Sequence, residues 1–207
     1  MQVIESRPTH DVVVIGSGAA GGMAAYNLTR LGVKVLILDA GAAFDKSDLW
    51  THVLPFEADA RIRAGEVPPA FRLDTNEQPY LTPDDKLFDL IRVWGLGGKT
   101  NIWGRVSLRM SDLDFGSAEL DGWGIPWPIR YADLAPYYAE AEWLLGVHGE
   151  AGSDPLEPER GGPYPHPPVD LSAPAARIRD AALSLGLRPF RIPLAINFSD
   201  PARPQCV

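Results

Sequence analysis

A single cysteine, Cys206, stands in 207 residues. One thiol excludes an intrachain disulfide and a cysteine metal cluster. No apolar run approaches the ~20 residues of a membrane span. The opening residues, "MQVIESRPTH", lack the apolar core of a secretory signal. A reducing cytoplasm is therefore the expected compartment, with export beside a signal-bearing partner left open. Basic residues are outnumbered, 19 Lys and Arg against 27 Asp and Glu, for a net charge of −8. That balance argues against a nucleic-acid phosphate surface. The histidines His10, His52, His148 and His166 fall in no H-x-x-H or H-E-x-x-H pattern, so no metal site is expected. They read as surface or packing residues. Asp84, Asp85, Glu157 and Glu159 read as solvated loop charges. No internal repeat is visible.

Turn formers are abundant, with 20 Gly and 20 Pro. Together they are well above the ~12% of an average chain, which argues against an all-helical fold. The length suits one domain with a core, or parts of two. Val12–Ile15 is a short β-branched run, closed by Gly16, and predicts a buried parallel strand. Gly18–Leu31 predicts a small-residue helix, with Met23, Leu28 and Leu31 on its apolar side and Gly32 as its stop. Val33–Asp39, "VKVLILD", predicts a second buried strand. The expected geometry is a right-handed βαβ unit.

Further on the pattern is looser. Residues 67–85 look extended and irregular. Pro126 and Pro128 bracket Trp127 in a turn-rich stretch. Leu134–Gly146 predicts a helix with Pro136 in its first turn. Residues 154–174 carry seven prolines and predict a surface connection. Pro174–Leu185 predicts a last helix, capped by Ser172 and stopped by Gly186, and 188–197 an extended strand.

Gly16-Ser17-Gly18-Ala19-Ala20-Gly21 is a G-x-G-x-x-G between a predicted strand and a predicted helix, the context this motif requires. Gly16 allows the tight turn, Gly18 lets a pyrophosphate approach the backbone, and Gly21 lets helix and strand pack closely. The helix N-terminus turns its N–H groups and positive dipole end toward the phosphates. Asp39, at the end of the second strand, is placed to accept from both ribose hydroxyls and would repel a 2′-phosphate. These features point to a dinucleotide and disfavour NADP, but they do not separate FAD from NAD.

A second glycine-rich segment, "RVWGLGGKTNIWGR", occupies 92–105. Gly95, Gly97 and Gly98 would let its backbone approach a flat ring. Thr100 and Asn101 offer hydrogen bonds to a polar ring edge, and Trp94 or Trp103 an apolar wall. FAD is long enough to need two such loops, one at each end.

"GLGGKTNIWGR", together with "VVVIGSGAAGG", "VLILDAG" and "WPIRYADLAPYYAEAEWLLGVHG" (127–149), resembles the N-terminal part of the glucose–methanol–choline (GMC) oxidoreductases. The likeness is strongest to bacterial members acting on sugars, polyols and sugar acids, and it extends over most of the chain. It implies an α/β fold with a Rossmann-like FAD-binding βαβ unit, an incomplete parallel sheet and the start of a substrate-binding domain. It implies FAD-dependent oxidation of a CH–OH group, a base taking the hydroxyl proton while hydride passes to flavin N5. By the same resemblance Gly16, Ser17, Gly18, Ala19, Ala20 and Gly21 hold the pyrophosphate and Asp39 the adenosine ribose. Gly97, Gly98, Thr100, Asn101, Trp103 and Gly104 lie along the flavin and ribityl. Some relatives carry a histidine that tethers the flavin where this chain has Ile102, so the FAD is expected to be non-covalent.

The expected division is 1–120 as the N-terminal part of the FAD domain and 121–207 as the start of a substrate-binding region. The family's catalytic histidine and its His or Asn partner lie beyond the matching stretch. The expectation is an N-terminal portion that is inactive alone, with no catalytic residue named within it. A small alcohol or sugar is the expected substrate, and an electron-accepting subunit a candidate partner. An NAD-linked dehydrogenase, or a non-catalytic dinucleotide-binding subunit, remains an alternative on the residues alone.

Overall fold

The computed structural model describes residues 9–43, 50, 53–66, 81–86, 93–198 and 201–202. His52, Cys206, Arg92 and residues 67–80 lie outside the described residues. The chain divides into two compact units, one up to Trp103 and one from Gly104 onward.

The first unit is built on strand β1 (Val12–Ile15), helix α1 (Ala19–Arg30) and strand β2 (Val35–Leu38). The strands pair in parallel, from Val12 opposite Val35 to Ile15 opposite Leu38. Gly16 N–H donates to the Leu38 carbonyl at 2.7 Å, carrying the pairing to the mouth of the glycine loop. The βαβ unit forms as the sequence predicts, with β1 at its expected bounds and β2 shorter than the expected Val33–Asp39. Their burial differs: Ile15 is 87% exposed and Val13 and Leu38 about half exposed. The reason is that among the described residues two strands form this sheet, so neither is flanked on both sides. Helix α1 likewise buries only Ala25, while Met23 and Leu31 stay exposed. Helix α2 (Pro55–Arg63) starts on a proline, which has no N–H to leave unsatisfied there. Its Glu57–Arg61 pair closes at 2.6 Å across one turn.

The second unit holds α3 (Asp112–Phe115), α4 (Ser117–Asp121), α5 (Tyr131–Leu145) and α6 (Ala173–Ser184). Helix α5 begins earlier than the sequence predicts, so Pro136 sits inside it. Two carboxylates extend its start: Asp133 accepts from Arg130 N–H at 2.8 Å, and Asp112 accepts from Tyr131 N–H at 2.8 Å. Negative charge at a helix N-terminus is favourable. Residues 188–197 form no continuous strand. Leu194 instead bridges Val106 on one side and His148 on the other, and His148 bridges His166. Pro189 and Pro193 lack the N–H groups a longer ladder needs.

Phe115, Tyr131, Val147 and Tyr164 form the apolar core of the second unit. Beside them lies a charged core. Arg109 grips Glu142 with two bonds of 2.8 Å. Arg160 reaches the same carboxylate at 2.5 and 3.1 Å, and Glu157 at 3.0 Å. The Tyr131 hydroxyl accepts from Arg109, and Tyr164 donates to Glu157. All four charged side chains are under 10% exposed. Glu157 is therefore a buried ion-pair member, not the solvated loop charge expected from sequence. The proline-rich 154–174 segment supplies Glu157, Arg160 and Tyr164 to this core, so its first half is packed structure.

Burial works against ionisation of Glu142, but the hydrogen bonds and charges of Arg109 and Arg160 outweigh it and hold the carboxyl below its usual range. The Glu142 hydrogen bond, opposed by burial, raises Arg109 above its ordinary value. Burial, reinforced by the bond to Glu157, pushes the Tyr164 phenol up.

Candidate functional site

The sequence-predicted loop residues of the first unit meet around the end of β2. Gly16 has φ +89°, a conformation open to glycine and rare for other residues. A Cβ on Gly21 would lie 1.9 Å from the Gly16 carbonyl oxygen, so only glycine lets α1 pack this close to the loop. Gly18 is the opposite case. It has extended backbone, and a Cβ there would meet nothing within 4 Å. No side chain caps α1 at Gly18, leaving its first turn, Ala19 to Gly21, to offer N–H groups outward. A closed inner face, an open outer face and an uncapped helix N-terminus fit a pyrophosphate.

Asp39 follows β2 and turns back on the loop. Its Oδ2 accepts from Ser17 N–H at 2.7 Å and from Ser17 Oγ at 2.5 Å, and its Oδ1 accepts from Gly41 N–H at 2.7 Å. These bonds, the Ser17 hydroxyl first, hold the carboxyl below its ordinary value. A carboxylate offers about four acceptor positions. Three are taken, which leaves one on Oδ1.

The second glycine loop lies across this arrangement. Gly97 N–H donates to Ser17 Oγ at 2.8 Å. Leu96 N–H donates to the Ala42 carbonyl at 3.1 Å. A Cβ on Gly41 would stand 2.2 Å from Gly95 N, so the two backbones touch directly. Gly97 and Gly98 take positive φ, +87° and +52°, and lead into a 3-10 turn over Gly98–Asn101. A Cβ on Gly98 would lie 3.7 Å from Gly18 Cα. The structure thus brings Ser17, Gly18, Asp39, Gly97 and Gly98 together.

Thr100 and Asn101 also stand here, but their side chains close the loop on itself. Thr100 Oγ1 donates to the Gly97 carbonyl at 2.5 Å, and Asn101 Nδ2 to the carbonyls of Leu96 and Gly98 at 2.9 and 3.0 Å. Trp103 is half-buried, with its N–H on the Lys99 carbonyl, and Gly104 opens the second unit. Gly41 was not foreseen as part of the site. Its signal was present in "DAGA", a glycine two residues past the ribose carboxylate. Among the described residues no helix is long and apolar enough to cross a membrane.

Residues 11–50 match the family model described as FAD binding domain. The chain is 38% identical to 6'''-hydroxyparomomycin C oxidase of Streptomyces lividus, over 90% of this chain and 32% of that protein. It is 33% identical to the fructose dehydrogenase large subunit of Gluconobacter japonicus, over 95% of this chain and 38% of that protein. Among solved structures an FAD-dependent oxidoreductase from Chaetomium thermophilum shares the fold, with a TM-score of 0.53 at 21% identity over 91% of this chain and 34% of that one. The chain spans about a third of the length of these curated relatives.

Proposed function

We propose that this chain, which carries the FAD-binding domain of a GMC-type oxidoreductase, grips FAD for the oxidation of a CH–OH group in an alcohol, sugar or polyol. The observation that carries the reading is the pair of interlocked glycine loops. Gly21 is sealed against Gly16, Gly18 stands open, and Gly97 is bonded back to Ser17. A short ligand needs one loop. A second loop fastened to the first suits a cofactor with two ends.

In this reading the N–H groups of the Gly16–Gly21 loop and the first turn of α1 hold the pyrophosphate. Asp39 accepts from one ribose hydroxyl with its remaining Oδ1 position. Gly97, Gly98, Thr100, Asn101 and Trp103 line the flavin end. Bound FAD supplies the hydride acceptor. Residues from 121 onward begin a substrate-binding region, and an electron-accepting subunit is a fitting partner, since one relative is itself named a large subunit. Of the described histidines, His148 is buried with Nδ1 2.9 Å from the Pro167 carbonyl oxygen and stacks on His166. That is a packing role, and no base is assigned to either ring.

The complete protein should purify yellow with FAD. Acid precipitation should leave that FAD in the supernatant, because Ile102 offers no nucleophile for a covalent link. An alcohol or sugar panel under anaerobic conditions should bleach the flavin band. A colourless protein whose substrate oxidation reduces NAD instead would overturn the reading.

A further inference from the structure

We infer that Ser17 is a positioning residue that ties the flavin-side loop to the adenosine-side carboxylate, so that the two ends of the cofactor are gripped as one unit. The inference rests on the FAD reading above. Ser17 makes three bonds that no other described loop residue combines. Its N–H and Oγ both engage Asp39 Oδ2, and its Oγ accepts from Gly97 N–H, 80 positions along the chain.

The direction of these bonds is fixed by chemistry. An ionised carboxylate can only accept, so the single Ser17 hydroxyl proton is committed to Asp39. The oxygen lone pairs are then turned toward Gly97. A charged Asp39 therefore orients the acceptor that fastens the second loop. Because Asp39 also accepts from two backbone N–H groups, those of Ser17 and Gly41, its own orientation survives loss of the hydroxyl. Removing Ser17 Oγ should unfasten the Gly97 end while leaving the ribose and pyrophosphate end in place.

This separates Ser17 from an ordinary loop residue, which would affect every nucleotide alike. The test compares FAD with ADP, which reaches only the adenosine and pyrophosphate end. Apo forms of the complete protein are titrated with each, for wild type, Ser17→Ala and Ser17→Thr. Hydrogen exchange at the Gly97 amide is followed in the same samples. Ser17→Ala should weaken FAD binding about tenfold or more, the scale of a lost bond in a charge-assisted network. ADP should change by less than about threefold on the same scale. Gly97 exchange should quicken, and Ser17→Thr, which keeps the hydroxyl, should restore both readouts.

Equal losses for FAD and ADP would overturn the inference and reduce Ser17 to part of the pyrophosphate loop, with the FAD reading intact. Unchanged FAD affinity would overturn it too. Should Ser17→Ala not fold, Asp39→Ala removes the acceptor that orients the hydroxyl, and an unaltered Gly97 exchange rate in that variant would overturn the inference. A wild type that binds ADP but no FAD would instead sink the functional reading itself.

Discussion

The two units of this chain are ordered by different means. Among its described residues the first buries almost no large side chain: its strands stand half exposed, and Ala25 is the buried residue of α1. Its shape is set by backbone, through positive-φ glycines, direct backbone contact at Gly41, and hydrogen bonds meeting at Ser17 and Asp39. The second unit encloses Val147 completely and seats two arginines and two glutamates among tyrosines. Where a ligand must approach the main chain, bulk is excluded and glycine does the shaping. In the second unit even charge is enclosed, because each group is paired.

The largest effect should come from breaking the charged core. Glu142→Ala would leave Arg109 and Arg160 buried without their shared carboxylate, a loss of about 3–5 kcal/mol on the scale for buried ion pairs. Denaturant unfolding followed by hydrogen exchange over residues 105–198 should show it, with the first unit little changed. The acid limb follows from the same group. The folded-state value of Glu142 is depressed. Its contribution is therefore present above the unfolded value of ~4.3 and is lost as pH falls through the lower folded value. Second-unit stability should hold down to about pH 4 and fall below it, and the fall should be shallower in Glu142→Ala.

A smaller effect, and a sharper one, comes from two glycines three residues apart. Gly21→Ala drives a methyl into the Gly16 carbonyl. A backbone atom cannot step aside cheaply, so the loss should reach or exceed the ~1–3 kcal/mol typical of overpacking. Gly18→Ala meets nothing within 4 Å. Its stability should move by less than about 0.5 kcal/mol, as at other uncrowded positions, while FAD content falls sharply. If both variants lost stability equally, the open outer face assigned to Gly18 would be wrong.

Much of the first unit was legible in the sequence, because its determinants are local. "VVVIGSGAAGG" carries strand, turn and helix start in one run, and the glycines announce the close approaches themselves. What was not legible was tertiary. Nothing in "GSGAAG" says that the Ser17 hydroxyl will meet Gly97, or that Asp39 will have three acceptor positions already occupied. The second unit was less legible still. Along α5 helical spacing aligns Leu134, Tyr137, Tyr138, Ala141, Leu144 and Leu145, yet the buried positions are Tyr131 and Glu142. An acid at a core position reads as surface until its partners Arg109 and Arg160, distant in sequence, are brought to it. Prolines in 154–174 suggested a surface connection for the same reason: the side chains between them are polar, and only pairing allows their burial.

The smallest effect should come from Thr100→Val. Its hydroxyl donates to the Gly97 carbonyl within an exposed turn. Water can take over that carbonyl when the hydroxyl is gone, so the net loss should be only about 0.5–1 kcal/mol, the ordinary worth of a neutral hydrogen bond. FAD affinity should fall by no more than about fivefold, the equivalent of that energy. Asn101 still fastens the turn through its two bonds to Leu96 and Gly98. Thr100→Ser keeps the donor and should match the wild type within error. The comparison between the units rests on this smallness. Many modest bonds shape the glycine loops, whereas a few buried charges hold the second unit. If Thr100→Val destabilised its unit as much as Glu142→Ala destabilises the other, the loops would depend on single bonds as the charged core does, and the contrast between the two units would fail.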